Sequence, residues 1–158
     1  MQVYDNLLKP EDHLLLLTMC QNSSYKYGVY DVKELGPTGL DCKLDPYSHP
    51  TDILLDKIYE IRPEFQDKIR KVTINYFAPR EVPYFHVDAD EGSTAIYYPN
   101  DFYDENEGGE TQLFGPDDLI YGVKPRPNRL LIFNSNITHR ATSYRSKTRF
   151  TIAIKFNK

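Results

Sequence analysis

The sequence predicts a mainly β domain with helices at its N-terminal end, and three observations carry that expectation. From Val72 onward, short runs rich in Val, Ile, Tyr, Phe and Thr alternate with Gly, Pro, Asn and Asp turn signals. Before that point, two stretches instead show acidic first turns and apolar residues at helical spacing. The chain has 158 residues, a size that buries roughly two thirds of its unfolded surface and so needs no disulfide framework. One domain spanning residues 1–158 is expected, with helices and a lid-like segment over 1–71 and a jelly-roll core over 72–158.

The elements follow in order. Pro10 opens "PEDHLLLLTMC", whose acidic residues precede the apolar ones, a short helix. Residues 22–50 are rich in Gly, Pro, Ser and Asp but carry Tyr25, Tyr27 and Tyr30 on alternating positions, which predicts a strand followed by a long loop. Thr51 is placed as the cap of a second helix, "DILLDKIYEI", which Arg62-Pro63 interrupts. Then come "VTINYFA", "VPYFHV", "STAIYYP", "ETQLFG", "LIYGV", "RLLIFN", "HRATSY" and "RFTIAIKF". About eight short, evenly spaced strands favour a sandwich or barrel over a parallel α/β sheet. Two helices ahead of them read as a jelly roll with helices backing one sheet.

Composition narrows the class. No apolar stretch approaches the length of a membrane span, and the acidic N-terminus does not read as a signal peptide. The net charge of −4 leaves no electrostatic footprint for nucleic acid. The two cysteines, Cys20 and Cys42, lack metal or redox spacing and read as ordinary thiols. A soluble cytoplasmic protein is expected, with no nucleic-acid or membrane partner. His13, beside a carboxylate, and His49, beside two prolines, are expected at the surface. Gly108-Gly109 reads as a turn before a strand, and "DENE" at 104–107 as a solvated loop.

Chemistry concentrates in "PYFHVDADEG". If this stretch is a strand, His86 and Asp88 project from one face and converge on a single ion. His-x-Asp is weak evidence by itself, but His139 follows the strand "RLLIFN" and is placed to close a ring of ligands. Two histidines and a carboxylate form the facial triad of non-haem Fe(II) oxygenases, and zinc accepts the same ligand types. The competing reading is a strand-capping His139 and a surface pair of His86 with Asp88. Ten residues beyond His139, Arg149 begins the last strand, with Thr151 on the same face. An arginine fork beside a hydroxyl suits a bidentate carboxylate; the alternative is an arginine that reaches water at the strand entrance.

Here the β-region resembles the 2-oxoglutarate- and Fe(II)-dependent dioxygenases, above all their prolyl 4-hydroxylase branch. The matching pieces are "INYFAPREVPYFHVDADEGSTAIYYPNDFYDENEGGETQLF" and "KPRPNRLLIFNSNITHRATSYRSKTRFTIAIKF", slightly over half of the chain. The order is the informative part: His-x-Asp, paired tyrosines, Gly-Gly-Glu, Pro-x-x-Arg-Leu-Leu-Ile-Phe, a distal histidine and an arginine ten residues later. The resemblance implies a double-stranded β-helix in which His86, Asp88 and His139 bind Fe(II). It implies that Arg149 pairs with the distal carboxylate of 2-oxoglutarate, helped by Tyr98 and Thr151, with Tyr76 reaching the same pocket. It further implies O2 as co-substrate and ascorbate as a supporting reductant. Asn128 departs from the pattern where relatives usually carry glycine; asparagine is the residue that best tolerates a positive φ there.

Hydroxylation is the implied reaction, because halogenating relatives lack the carboxylate that Asp88 supplies. A peptide or protein proline is the implied target, with Tyr25, Tyr27 and Tyr30 folding over an extended peptide. Cross-strand pairing of those tyrosines inside the fold is the alternative. Hydroxylation of a free amino acid or small metabolite on the same machinery, and a non-catalytic 2-oxoglutarate- or metal-binding module, are the competing functions.

Overall fold

The structure, a computed structural model, describes all residues from Met1 to Lys158. Ten strands and two α-helices follow one another as β1 (Gln2–Tyr4), α1 (Pro10–Asn22), β2 (Lys26–Val29), β3 (Gly39–Lys43), α2 (Thr51–Ile61), β4 (Ile69–Phe77), β5 (Ser93–Tyr98), β6 (Thr111–Phe114), β7 (Ile120–Val123), β8 (Arg129–Asn134), β9 (His139–Ala141) and β10 (Arg149–Phe156). They form a seven-stranded sheet in the order β1-β8-β5-β10-β4-β3-β2 and a three-stranded sheet in the order β7-β6-β9. Every pairing is antiparallel. The predicted jelly roll with helices on one sheet is the observed architecture. No helix is long and apolar enough to cross a membrane.

The pleat of the large sheet divides its side chains between two layers, because successive residues of a strand face opposite sides. On β10, Phe150, Ile152, Ile154 and Phe156 join Ile74, Ala95, Tyr97, Leu130 and Ile132 from neighbouring strands, and bury Leu16, Leu17 and Cys20 of α1 with Leu54, Leu55 and Ile58 of α2. This helix-side core holds 19 buried residues, against six in the cluster between the two sheets. Most of the hydrophobic stabilisation therefore lies behind the large sheet. The inter-sheet space is correspondingly free to hold polar side chains and a cavity.

Several local expectations are revised. Residues 22–50 hold two strands that extend the large sheet at its edge, rather than one strand and a long loop. The stretch 82–87 is not a strand: its one ladder contact is an isolated bridge between His86 and His139. Thr51 begins α2 and is buried, with Pro50 as the preceding residue and no side-chain cap bond. His13 is partly buried, its Nδ1 lying 2.7 Å from the Tyr97 hydroxyl, while His49 is exposed beside Asp52 at 3.3 Å. The two cysteines are free, and burial pushes the Cys20 thiol up to about 12, away from the reactive thiolate.

Asn128 explains how the N-terminal arm is held. Its φ of 57° is the left-handed conformation that glycine would otherwise supply. Its side chain adds what glycine lacks: the Leu8 amide donates to Oδ1 at 2.9 Å, Nδ2 donates to the Leu8 carbonyl at 2.8 Å, and the Tyr97 hydroxyl donates to Oδ1 at 3.0 Å. Asn128→Gly keeps the backbone conformation and deletes three bonds, each worth about 1 kcal/mol net. A loss of about 2–3 kcal/mol in urea unfolding is expected; an unchanged midpoint would mean that the arm is not coupled to the core.

Candidate metal centre and cavity

A cavity of about 540 Å³ opens between the sheets, walled on the large-sheet side by the residues of β10 and β4 that face away from the helices. At its edge the backbones of His86 and His139 exchange two N–H···O bonds of 2.9 Å, and the Asp88 amide donates to the Ser135 carbonyl at 2.9 Å. These three bonds bring together side chains from segments about fifty residues apart, and do so without the strand that the sequence suggested. One ligating atom from each of His86, Asp88 and His139 lies within 4.8 Å of the others.

Hydrogen bonding fixes which ring nitrogens face inward. His139 Nδ1 lies 2.8 Å from the Ile137 carbonyl and His86 Nδ1 lies 3.1 Å from the Tyr84 carbonyl. A carbonyl only accepts, so both Nδ1 atoms carry a proton, and in the neutral imidazole it is Nε2 that presents the lone pair. Those Nε2 atoms lie 3.7 Å (His86) and 3.6 Å (His139) from the Asp88 carboxylate. Burial lowers the His139 pKa, with Asp88 opposing, which favours the neutral ligand form. Burial raises that of Asp88, but Lys155 and His139, together with hydrogen bonds from Lys155 and Thr94, outweigh it, and the carboxylate is held below its ordinary range. Two lone pairs and an anion face one another, an arrangement that a divalent cation satisfies. The donor set fits a metal ion.

Asp31, from the segment after β2, is a member of this centre that sequence reasoning missed. Its Oδ1 lies 3.5 Å from His86 Nδ1, while its Oδ2 accepts from the Tyr84 amide at 3.1 Å and the Thr38 hydroxyl at 2.7 Å. A carboxylate behind a ligating histidine fixes the ring and raises its basicity. Nothing in the local sequence marks Asp31, because its role depends on strand β2 being folded onto the sheet edge.

Deeper in the cavity stands Arg149, with no exposed surface. Its Nη2 donates to the Thr111 hydroxyl at 3.2 Å, whereas Nε and Nη1 have no partner. The Phe77 and Tyr98 rings lie 5.1 and 5.6 Å from the guanidinium carbon. Burial lowers the arginine pKa, opposed by Tyr98 and Tyr144, and no carboxylate forms a salt bridge with it. A buried guanidinium with two free donors calls for a bidentate anion. Thr111 pairs with Ala141 two residues from the Leu113–His139 pair, roughly 7 Å along the strand, a span that suits a short dicarboxylate reaching from the metal centre to Arg149.

The remaining predicted residues divide by strand parity. Thr151 lines the cavity, and Asn75 donates to its hydroxyl at 3.4 Å. Tyr98 faces the inter-sheet layer but lies behind Arg149, its hydroxyl donating to Thr111 at 2.7 Å, so it supports the pocket without lining it. Tyr76 is a correction. Phe77 and Asn75, which pair with Arg149 and Thr151, face the cavity, so Tyr76 points to the helix side and packs on Tyr25 and Phe150 at 5.3 and 5.6 Å. Tyr25 is likewise removed from the substrate face, donating its hydroxyl to the Cys20 carbonyl at 2.5 Å. Tyr27 is exposed outside the cavity, donating to the Pro37 carbonyl at 3.1 Å. Tyr30 alone of the three tyrosines lines the mouth. Lys155, whose Nζ pairs with Asp88, was legible but overlooked: it continues the inward series 149, 151, 153.

The sequence profile described as the 2OG-Fe(II) oxygenase superfamily matches residues 72–157. No curated protein is similar to the chain in sequence. Among solved structures, the fold is similar to a Pseudomonas putida prolyl-4-hydroxylase, at 16% identity and a TM-score of 0.81, over 99% of this chain and 91% of that one. It is also similar to a prolyl hydroxylase from Trichoplax adhaerens in complex with a hypoxia inducible factor oxygen degradation domain peptide fragment, at 14% identity and a TM-score of 0.78, over 99% and 82%. A viral collagen prolyl hydroxylase from Paramecium Bursaria Chlorella virus-1, in a 2OG complex, is similar at 16% identity and a TM-score of 0.69, over 98% and 93%.

Asp31→Asn keeps acceptors for the Tyr84 amide and the Thr38 hydroxyl but removes the negative charge from His86. A loss of metal affinity of about tenfold to a hundredfold is expected in a competitive Mn(II) titration. Unchanged affinity would reduce Asp31 to a loop anchor.

Proposed function

The chain belongs to the 2OG-Fe(II) oxygenase superfamily, and from that premise we propose that it hydroxylates a proline in a peptide or protein, converting 2-oxoglutarate to succinate and CO2. The family uses Fe(II), 2-oxoglutarate and O2, and the chain is a dioxygenase of this class. The observation that carries the co-substrate assignment is Arg149: fully buried, two donors unpaired, in one cavity with a His-Asp-His cluster. Peptidyl proline as target is supported by the likeness of the fold to prolyl hydroxylases, one of them with a peptide bound. Residues 1–71 belong to the same catalytic domain, supplying the helix layer and the edge strands that border the mouth.

His86, Asp88 and His139 would hold Fe(II), which with 2-oxoglutarate and O2 would supply the insertion of one oxygen atom into a substrate C–H bond, the other passing to succinate. The residues themselves bind, orient and exclude. Nδ1–H bonds to the Ile137 and Tyr84 carbonyls orient both imidazoles with Nε2 inward. Thr94 donates to Asp88 Oδ2 at 2.6 Å and so fixes the carboxylate plane. Arg149 would receive the distal carboxylate, with the Thr111 and Thr151 hydroxyls lining the same cavity. Phe77, Ile96 and Ala153 line the same cavity with apolar surface, lowering the local dielectric and strengthening that ion pair.

Two outcomes test this. Anaerobic addition of Fe(II) and 2-oxoglutarate together is expected to produce a visible charge-transfer band that neither gives alone; His139→Ala abolishes it. Arg149→Ala raises the 2-oxoglutarate concentration needed for the band by on the order of a hundredfold, as expected when one partner of a buried charged pair is removed. Metal binding without any band would overturn the 2-oxoglutarate assignment. With the band in place, mass spectrometry of proline-containing peptides should find one added oxygen on proline and none on matched peptides in which alanine replaces it.

A further inference from the structure

The cavity runs from a closed end at Arg149 to an open end, and the open end is basic although the chain as a whole carries a net charge of −4. Lys155 on β10 is paired directly with Lys71 on β4, both on the cavity side. Lys43, on the next strand, pairs with Thr73 and lines the same wall. Side-chain exposure rises from Lys155 at 23% to Lys71 at 40%, while Arg149 has none, which identifies the lysines as the mouth. Like charges directly opposite each other across two strands are unfavourable, so this pair needs anions.

The available anions are insufficient once the centre is filled. Lys71 Nζ is 3.8 Å from Asp41 Oδ2, a loose contact, and Lys155 relies on Asp88. Asp88 also belongs to the His-Asp-His cluster and cannot balance both Lys155 and a divalent cation. The third carboxylate at the mouth, Asp31, is engaged by His86, Tyr84 and Thr38. Burial and the neighbouring Lys155 depress the pKa of Lys71, with Asp41 and Asp88 opposing. The lysine pair is thus under-neutralised beside the metal centre and open to the entering substrate. The acidic side chains of Asp31 and Asp41 at the same mouth disfavour a polyanion, so a single carboxylate is the group that matches.

We propose that Lys71 and Lys155 bind a carboxylate of the substrate, so that the hydroxylated residue carries or adjoins an acidic group. This rests on the hydroxylase reading above and specifies its substrate class. Two sources present that chemistry: a glutamate or aspartate flanking proline in a peptide, or the free α-carboxylate of an amino acid or C-terminal residue.

The test uses fluorescently labelled proline peptides with glutamate flanking the proline, their glutamine isosteres, and unlabelled L-proline as competitor. Binding is read by anisotropy on the full chain loaded with Mn(II) alone, which needs no turnover. The glutamate peptide is expected to bind about tenfold more tightly than the glutamine peptide, as for a charge-assisted contact. That preference should shrink with added salt, and should be lost or inverted in Lys71→Glu, while Lys71→Arg retains it. Competition by L-proline at lower concentration than by its amide would identify the α-carboxylate as the source. Equal affinity for the two peptides together with equal competition by L-proline and its amide, or an unchanged preference in Lys71→Glu, overturns the proposal. The anaerobic charge-transfer band of the same variant separates the two readings: a normal band with no acidic preference leaves the hydroxylase assignment standing, and a missing band in wild type removes that assignment whatever the peptides do.

Discussion

Strand β10 is the constraint on which the rest depends. It lies in the middle of the large sheet, paired with β4 on one side and β5 on the other, and its eight residues serve two layers by the pleat alone. Phe150, Ile152, Ile154 and Phe156 anchor both helices, while Arg149, Thr151, Ala153 and Lys155 face the cavity. A shift of register by one residue would exchange the two sets, placing a guanidinium and an ammonium in the helix-side core. The hydrophobic alternation that stabilises the fold is therefore also what aims the polar groups of the site.

The cavity is organised by unmet charge at three points. At its closed end Arg149 is desolvated with two donors unused; at the metal centre, two imidazole lone pairs face a carboxylate; at the mouth, two lysines stand side by side across a strand pair. Each arrangement is unfavourable in isolation, and each would be relieved by a ligand of opposite sign: a carboxylate, a cation and a carboxylate in turn. The helix-side core, larger and wholly independent of these groups, supplies the stability that allows them to persist. Binding rather than folding completes the electrostatics.

The N-terminal segment is more than a cover. Its edge strands β2 and β3 continue the sheet and carry Asp31 to His86, so that the metal centre is linked to the region bordering the mouth. At the other edge, Asn128 ties the first residues to the turn before β8 through its own side chain, and through Tyr97 to His13 of α1. A single asparagine side chain thus couples chain entry, helix and sheet.

The sequence by itself determined the fold class, the two helices and most strands of the β-region, and it singled out His86, Asp88, His139, Arg149 and Thr151, which the structure gathers in one cavity. These are legible because periodicity and spacing are local properties of the chain. It also held the clue to Lys155, in the same alternation as Arg149. Tertiary structure decided what no local pattern encodes. It showed that His86 and Asp88 are aligned by backbone bonds to the 135–139 segment rather than by a strand of their own. It also turned Tyr76 and Tyr25 into core, and brought Asp31 to His86 and Lys71 to Lys155. Register between distant strands selects which face a residue presents and which neighbours it meets, and that selection is made by packing of the whole sheet.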